Sequence, residues 1–285
     1  MKLGIVFEGG ASRSLFSCGV MDALLEEKII ADYVIGTSAG IAYGTSYVSG
    51  QIGRNLELAV KYMNDKRYMG MKHLFNRKNH SYYNRDFAFG QIPKKLVPYD
   101  FNAFDNFGGT TIATLTNMKN CTAEYFELPK HNPEKHIQIL WASCALPFMF
   151  SPEEIDGEIY MDGGICDPIP FQKALDDGCE RLIVVLTREP GYKKESAEAS
   201  VAARLFYRRF PALPRALKER AEIYNEARRK IFELADKKEL IVITPKCTKG
   251  FKRTEKNPDI LRALHNEGYN TTKQMINDIK QYLSE

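Results

Sequence analysis

Short runs of apolar, β-branched residues alternate along this chain with longer stretches whose apolar positions recur at helical spacing. The pattern predicts strands at 3–7, 33–36, 110–116, 122–128, 155–161, 181–187 and 240–244. Helices are predicted at 13–28, 39–49, 53–65, 133–145, 170–177, 199–236 and 257–283, with the long one interrupted at Pro211 and Pro214. Residues 181–187, Arg-Leu-Ile-Val-Val-Leu-Thr, form the continuous apolar run expected of a strand buried on both faces. Strands alternating with helices imply an α/β fold, a mostly parallel central sheet covered by helices. Residues 68–107 lack clear periodicity and carry ten aromatic residues, from Tyr68 to Phe107. They read either as a cap lining an acyl-chain pocket or as an ordinary core layer.

Three strand ends carry chemistry. Gly36-Thr37-Ser38-Ala39-Gly40 follows the apolar run Tyr33-Val34-Ile35 and precedes a helix. A G-x-S-x-G at such a junction is a nucleophile elbow, whose glycines allow a turn that a Cβ would block. It lifts the Ser38 hydroxyl above the sheet and aims the following helix's N-terminal dipole at it. Glu8-Gly9-Gly10-Ala11-Ser12-Arg13-Ser14 follows the first strand. Its glycines let backbone N–H groups converge on an anion or a developing oxyanion. Neither a P-loop nor a G-x-G-x-x-G is matched, which disfavours a phosphate-binding loop. Asp162-Gly163-Gly164 follows the strand-like Glu158-Ile159-Tyr160-Met161, a place where a carboxylate either caps a turn or serves catalysis.

These motifs resemble, in order and spacing, the patatin-like phospholipase family: a D/E-G-G-G-x-R-G loop, then G-x-S-x-G, then D-G-G or D-G-A. Ala142-Ser143-Cys144-Ala145-Leu146-Pro147 is similar to the family's A-S-x-A-x-P segment. The resemblance covers residues 1–190 and implies a patatin-like three-layer α/β/α catalytic domain, with 191–285 as a C-terminal helical extension bearing one added strand. It implies lipid acyl-ester hydrolysis by a Ser38–Asp162 dyad through an acyl-enzyme. The oxyanion would be met by N–H groups of Gly9, Gly10 and Ala11. Arg13, Gly36, Gly40, Gly163 and Gly164 are the supporting residues, Arg13 bracing the loop chiefly by hydrogen bonds. Ala11 and Ser14 depart from the family's glycines. Alanine fits at negative φ, whereas positive φ would demand a reshaped loop and a weaker oxyanion hole. An aspartate at its ordinary pKa near 3.9 is a poor base, so burial must raise it.

A Ser-His-Asp triad is the rival chemistry. Of His73, His80, His131, His136 and His265, only His265 lies late enough, in a helical context that reads as surface or core edge. Two other readings stay open: a catalytically weak lipid- or acyl-binding regulatory relative, and a thioesterase or carboxylesterase with the same dyad.

Composition adds limits. At 285 residues and 44% hydrophobic content the chain suits one α/β domain with an appendage. There is no 18-residue apolar run and no signal-peptide pattern, so a cytoplasmic location is expected. Six scattered cysteines, none in C-x-x-C, read as free thiols; no metal or other cofactor is expected, and no calcium loop is found. Net charge is +4, too mild for nucleic acid. Residues 188–256 hold 19 Lys and Arg against 10 Asp and Glu, a net +9 that leaves −5 elsewhere. This segment reads first as a solvated helical appendage. Its second reading is transient, peripheral contact with an anionic membrane surface.

Overall fold

In the computed structural model, residues 1–76, 79–195 and 199–285 are described. Residues 77–78 of the predicted aromatic cap and 196–198 of the basic segment lie outside the described residues. Eight strands form one sheet: β1 (Leu3–Phe7), β2 (Tyr33–Thr37), β3 (Thr110–Asn117), β4 (Thr122–Glu127), β5 (Glu153–Ile155), β6 (Glu158–Asp162), β7 (Arg181–Val185) and β8 (Ile241–Ile243). Their order is β5-β6-β3-β2-β1-β7-β8, with β4 paired to the other edge of β3. The run from β3 through β2, β1 and β7 to β8 is parallel, while β4, β6 and β5 are antiparallel. This is the α/β class that the alternating pattern predicts.

Ten helices complete the described residues: α1 (Leu15–Glu26), α2 (Ala39–Val48), α3 (Arg54–Tyr62), α4 (Met71–Leu74), α5 (Phe101–Asp105), α6 (Pro133–Ser143), α7 (Phe171–Asp176), α8 (Ala199–Phe206), α9 (Leu213–Asp236) and α10 (Pro258–Ser284). A 3₁₀ turn at Ala11–Ser14 precedes α1, another at Gly163–Ile165 follows β6, and a wide helical turn spans Asp86–Leu96. Period-two alternation divides the sheet residues between two layers. Ile5, Phe7, Ile183 and Val185 pack under residues of α1, α2, α3 and α10. Val6, Leu182 and Val184 pack under α7 and α9.

Two expectations are corrected. The predicted strand 155–161 is a hairpin, β5 and β6 joined by Asp156 (φ 52°) and Gly157 (φ 85°). That pair is an Asp-Gly turn of the kind that matches strand twist. The long helix breaks at Pro211 only. Pro214 sits in the first turn of α9, where a missing N–H leaves no bond unmade.

Residues beyond 190 are built into this frame. β8 adds a parallel edge strand to β7, and α10 crosses α1 with backbones in direct contact. A Cβ on Gly19 would lie 1.9 Å from His265 O, and one on Gly268 would lie 2.0 Å from Phe16 O. His265, expected at the surface or core edge, is buried with Nε2 2.9 Å from Asp22 Oδ2, tying α10 to α1. It meets the close crossing that the two glycines permit.

Candidate active site

β2 and β6 meet end to end along one edge of β3. Thr37 pairs with Thr114, and Asp162 pairs with Leu115, the next residue. The residue that ends β6 is thereby set beside Ser38, which follows β2, although the two are far apart in sequence. Ser38 takes φ 55° and ψ −132°, a conformation that non-glycine residues rarely hold and that typically stores about 1–3 kcal/mol. Close packing enforces it: a Cβ on Gly40 would lie 2.4 Å from Phe7 O, and one on Gly36 would lie 2.9 Å from the same oxygen. The Ser38 N–H donates to Ser143 Oγ at 2.9 Å, and Ser143 Oγ donates to Thr114 O at 2.9 Å. Ser143 thus clamps the elbow, a role the sequence reading missed although the residue lies inside the A-S-x-A-x-P segment.

Asp162 is buried, 1% exposed. Its Oδ1 accepts the Gly164 N–H at 2.7 Å, and Oδ2 has no partner of hydrogen-bond geometry. Its backbone is fixed by Asp162 N–H to Ala145 O at 3.0 Å and Thr116 Oγ1 to Asp162 O at 3.0 Å. Burial raises the carboxyl pKa above the ordinary value; the Arg220 guanidinium, the Ser38 hydroxyl and the Gly164 N–H oppose that shift. The Ser38 hydroxyl is therefore near enough to act on the carboxyl without closing an aligned bond, as is common before substrate binds. Gly163 is needed for approach, since a Cβ there would lie 2.2 Å from Thr114 O.

The loop after β1 lies against the elbow. A Cβ on Gly9 would lie 2.7 Å from Thr37 O and 3.0 Å from Ser38 Cβ. Among the described residues, the N–H groups of Gly9, Gly10 and Ala11 donate to no protein acceptor. Ala11 takes φ 50°, so the condition for an unstrained alanine is not met, and the residue holds a left-handed turn itself. Ser14 takes φ −66°, where glycine has no advantage. The Arg13 reading is corrected. Its side chain is buried, Nε has no partner, and among the described residues its guanidinium donates no hydrogen bond to the loop.

Two cavities of opposite character flank Ser38. One is apolar and narrow, about 130 Å³, and runs between α2, α6 and the aromatic segment. Tyr68, Tyr83, Phe89, Tyr99 and Phe101 line it; Phe87 and Phe104 fill core, and Phe75 is 80% exposed. The aromatic segment thus divides between residues that line a cavity and residues that fill core. His136 also lines this cavity; burial pushes its pKa down to about 4, so it is neutral there. Among the described residues no histidine ring is bonded to Ser38 or Asp162. Cys144 lies beside Ser38 with its thiol pKa pushed up by burial, inert as a nucleophile.

The other cavity is open and polar, about 560 Å³, at the C-terminal ends of β1 and β7. The chain order reverses between these strands, the place where open α/β sheets form ligand crevices. Arg13, Arg188, Lys193, Lys194, Arg220 and Arg253 line it. Arg13 belongs to the glycine-loop motif; the other five carried no motif, and only the +9 excess of their segment pointed to them.

The model of the patatin-like phospholipase family matches residues 5–175, three fifths of the chain. The chain belongs to the patatin-like phospholipase family. Residues 210–284 match a domain of unknown function, DUF6363. Among curated family relatives, the uncharacterized protein YjjU of Escherichia coli K12 is 26% identical over 191 residues, 65% of this chain and 52% of that protein. Lysophospholipase NTE1 of Candida glabrata and of Saccharomyces cerevisiae are each 26% identical over 190 residues, 64% of this chain and 10% of theirs. The chain spans about half the length of the first relative and about a tenth of the yeast proteins. Among solved structures, VipD of Legionella pneumophila matches at TM-score 0.49 and 12% identity, over 97% of this chain and 67% of that one.

Proposed function

We propose that this chain hydrolyses lipid acyl esters through a Ser38–Asp162 dyad and an acyl-enzyme. The observation that carries the reading is the meeting of β2 and β6 on β3, which sets a strained serine beside a buried carboxylate with one free oxygen. Ser38 Oγ attacks the ester carbonyl while Asp162 takes its proton. The developing oxyanion meets the undonated N–H groups of Gly9, Gly10 and Ala11, each such donor typically worth about 100- to 1000-fold in rate. The C–O bond breaks, and Asp162 returns the proton to the leaving alcohol. Water, deprotonated by Asp162, then releases the acid and restores Ser38. The narrow apolar cavity takes the acyl chain. Ala11 holds the positive φ at which a weaker oxyanion hole was expected, which keeps a catalytically weak, lipid-binding relative as the second reading. The test is labelling with a fluorophosphonate and mapping of the adduct. Modification at Ser38, with p-nitrophenyl ester turnover lost in Ser38→Ala, is expected; an adduct on another serine would refute the dyad.

Among the described residues no helix is long and apolar enough to cross a membrane. Peripheral contact is supported at α8 instead. Val201, Leu205 and Phe206 are 72%, 58% and 72% exposed, with Arg204, Arg208 and Arg209 close by in sequence. Phe206 lies edge-on to Phe148, two residues from Leu146, which lines both cavities. Sedimentation with anionic vesicles, weakened in Phe206→Glu, is the expected result.

A further inference from the structure

The polar cavity holds more positive charge than the fold neutralises. Its six basic side chains face three carboxylates, Glu8, Asp162 and Glu195. Two of those are already engaged. Glu8 accepts from Tyr224 Oη at 2.7 Å and Thr187 N–H at 2.6 Å, and Asp162 accepts from Gly164 N–H. Among the described residues none of the six cations forms an ion pair. Arg13 is 8% exposed with Nε unpartnered. Lys194 Nζ sits 4.6 Å over the Tyr224 ring and donates no hydrogen bond among the described residues. Burial, with Arg220, Arg253 and Arg13 close by, pulls the Lys194 pKa down to about 7; burial, with Arg188 and Arg253 close by, pulls the Arg13 pKa down to about 10. Arg188 donates to Thr248 Oγ1 and Arg220 to Gly164 O, but neither partner is charged, and gathering partly buried cations without counter-charges is costly. The cost is offset when an anion enters.

We propose that this basin is a phosphate-binding subsite for the leaving alcohol, so that the chain takes acyl esters whose alcohol ends in a phosphomonoester, such as an acylglycerol phosphate. The inference rests on the hydrolase reading above. Ala11, Ser38, Leu146 and Arg253 line both cavities, which places acyl chain and alcohol on opposite sides of Ser38. A glycerol phosphate carries its phosphorus a few bonds from the ester oxygen, matching a basin that begins at Ser38. An acyl-coenzyme A carries its nearest phosphate beyond the whole pantetheine arm. A dianion answers the surplus charge, whereas a choline head group adds another cation to it. Five of the six cations follow residue 175 and lie outside the matched patatin segment. The subsite is thus a property of this chain's C-terminal part. The phosphate itself is unchanged in the reaction: the ester C–O bond breaks, and glycerol phosphate leaves with the proton that Asp162 took from Ser38.

The experiment compares kcat/KM for 1-acylglycerol 3-phosphate, 1-acylglycerol and lysophosphatidylcholine of one chain length, beside a p-nitrophenyl ester. The phosphomonoester is expected to lead both others by about tenfold or more, a lead removed in Lys194→Ala and in Arg188→Gln. Calorimetry of glycerol 3-phosphate and of inorganic phosphate on the Ser38→Ala chain gives a readout without turnover; glycerol 3-phosphate binding, weakened when Lys194→Ala is added, supports the subsite. Turnover of the p-nitrophenyl ester, lost in Ser38→Ala, with equal rates on the three lipids overturns the subsite and leaves the hydrolase standing. Inorganic phosphate binding without substrate preference also overturns it, in favour of a free-phosphate site. No ester turnover and no fluorophosphonate adduct would remove the hydrolase reading and this inference with it.

Discussion

The two cavities beside Ser38 are built by different physics. The apolar one is made by packing: α2, α6 and the aromatic segment leave a narrow gap lined by rings and aliphatic side chains. Apolar surface is interchangeable, so many side chains could line such a gap, and what matters is its width. The polar one is made by individual charges from Arg13 to Arg253, brought together by the β1–β7 crevice and by α9. Charges are not interchangeable in this way, because each carries its own desolvation cost and its own direction. The apolar side should therefore set how long a chain is accepted, and the polar side which head group.

The largest expected effect strikes both sides at once. Ser38→Ala and Asp162→Asn should each cut turnover by roughly a thousandfold or more on every substrate, charged or neutral. A loss confined to phosphate-bearing substrates would place these residues in binding instead of chemistry. Asp162→Asn should also leave the thermal midpoint unchanged or higher. The raised carboxyl pKa means that stability from this group is full below the unfolded value near 3.9 and is lost as pH rises through the folded value. At neutral pH the charged form is the unfavourable one, and asparagine removes it. The same direction places the acid limb of kcat/KM above the ordinary carboxylate range.

A second prediction addresses the apolar side alone. Across a series of p-nitrophenyl esters, kcat/KM should rise about fourfold per methylene, from about 0.8 kcal/mol of transfer energy, until the cavity is full. Ala42→Leu, at the cavity wall, should move that optimum to shorter chains and leave head-group preference intact. An unmoved optimum would show that the acyl chain lies elsewhere.

Proton linkage sharpens the polar side. Lys194 is charged below about pH 7, and it faces Glu8, Arg13, Arg220, Arg253 and the Tyr224 ring. Affinity for glycerol 3-phosphate should fall as pH rises through 7, since an anion favours the charged amine. Lys194→Arg should flatten that fall, because a guanidinium stays charged throughout. Calorimetry at several pH values checks both.

Smallest are the backbone effects. Ala11→Gly relieves a positive φ and should stabilise the fold by at most about 1 kcal/mol, the strain partly offset by chain entropy, with little change in kcat. Ser38→Gly should melt above Ser38→Ala for the same reason. Equal midpoints would show that the elbow stores no strain.

The strand ends, the G-x-S-x-G elbow, the glycine loop and the Asp-Gly-Gly turn were all legible in the sequence, because each is a local device. A turn that excludes a Cβ requires glycine at a fixed offset from the strand that feeds it. The Asp156-Gly157 hairpin was equally local, and its Asp-Gly pair was there to be seen. The apolar periodicity also determined the α/β class, since burial on one or two faces leaves its own period. What only the tertiary structure decided were relations between distant segments. That Thr37 and Asp162 occupy neighbouring rungs of β3 depends on strand pairing, which no local pattern encodes. Ser143 clamps Ser38 because α6 ends over β3. Gly19 and Gly268 matter because α1 and α10 cross over them. The cationic basin is the clearest case. Lys194, Arg220 and Arg253 look like solvated surface charges along the chain, and only folding makes them neighbours, because electrostatic energy depends on distance in space and on burial, not on separation in sequence.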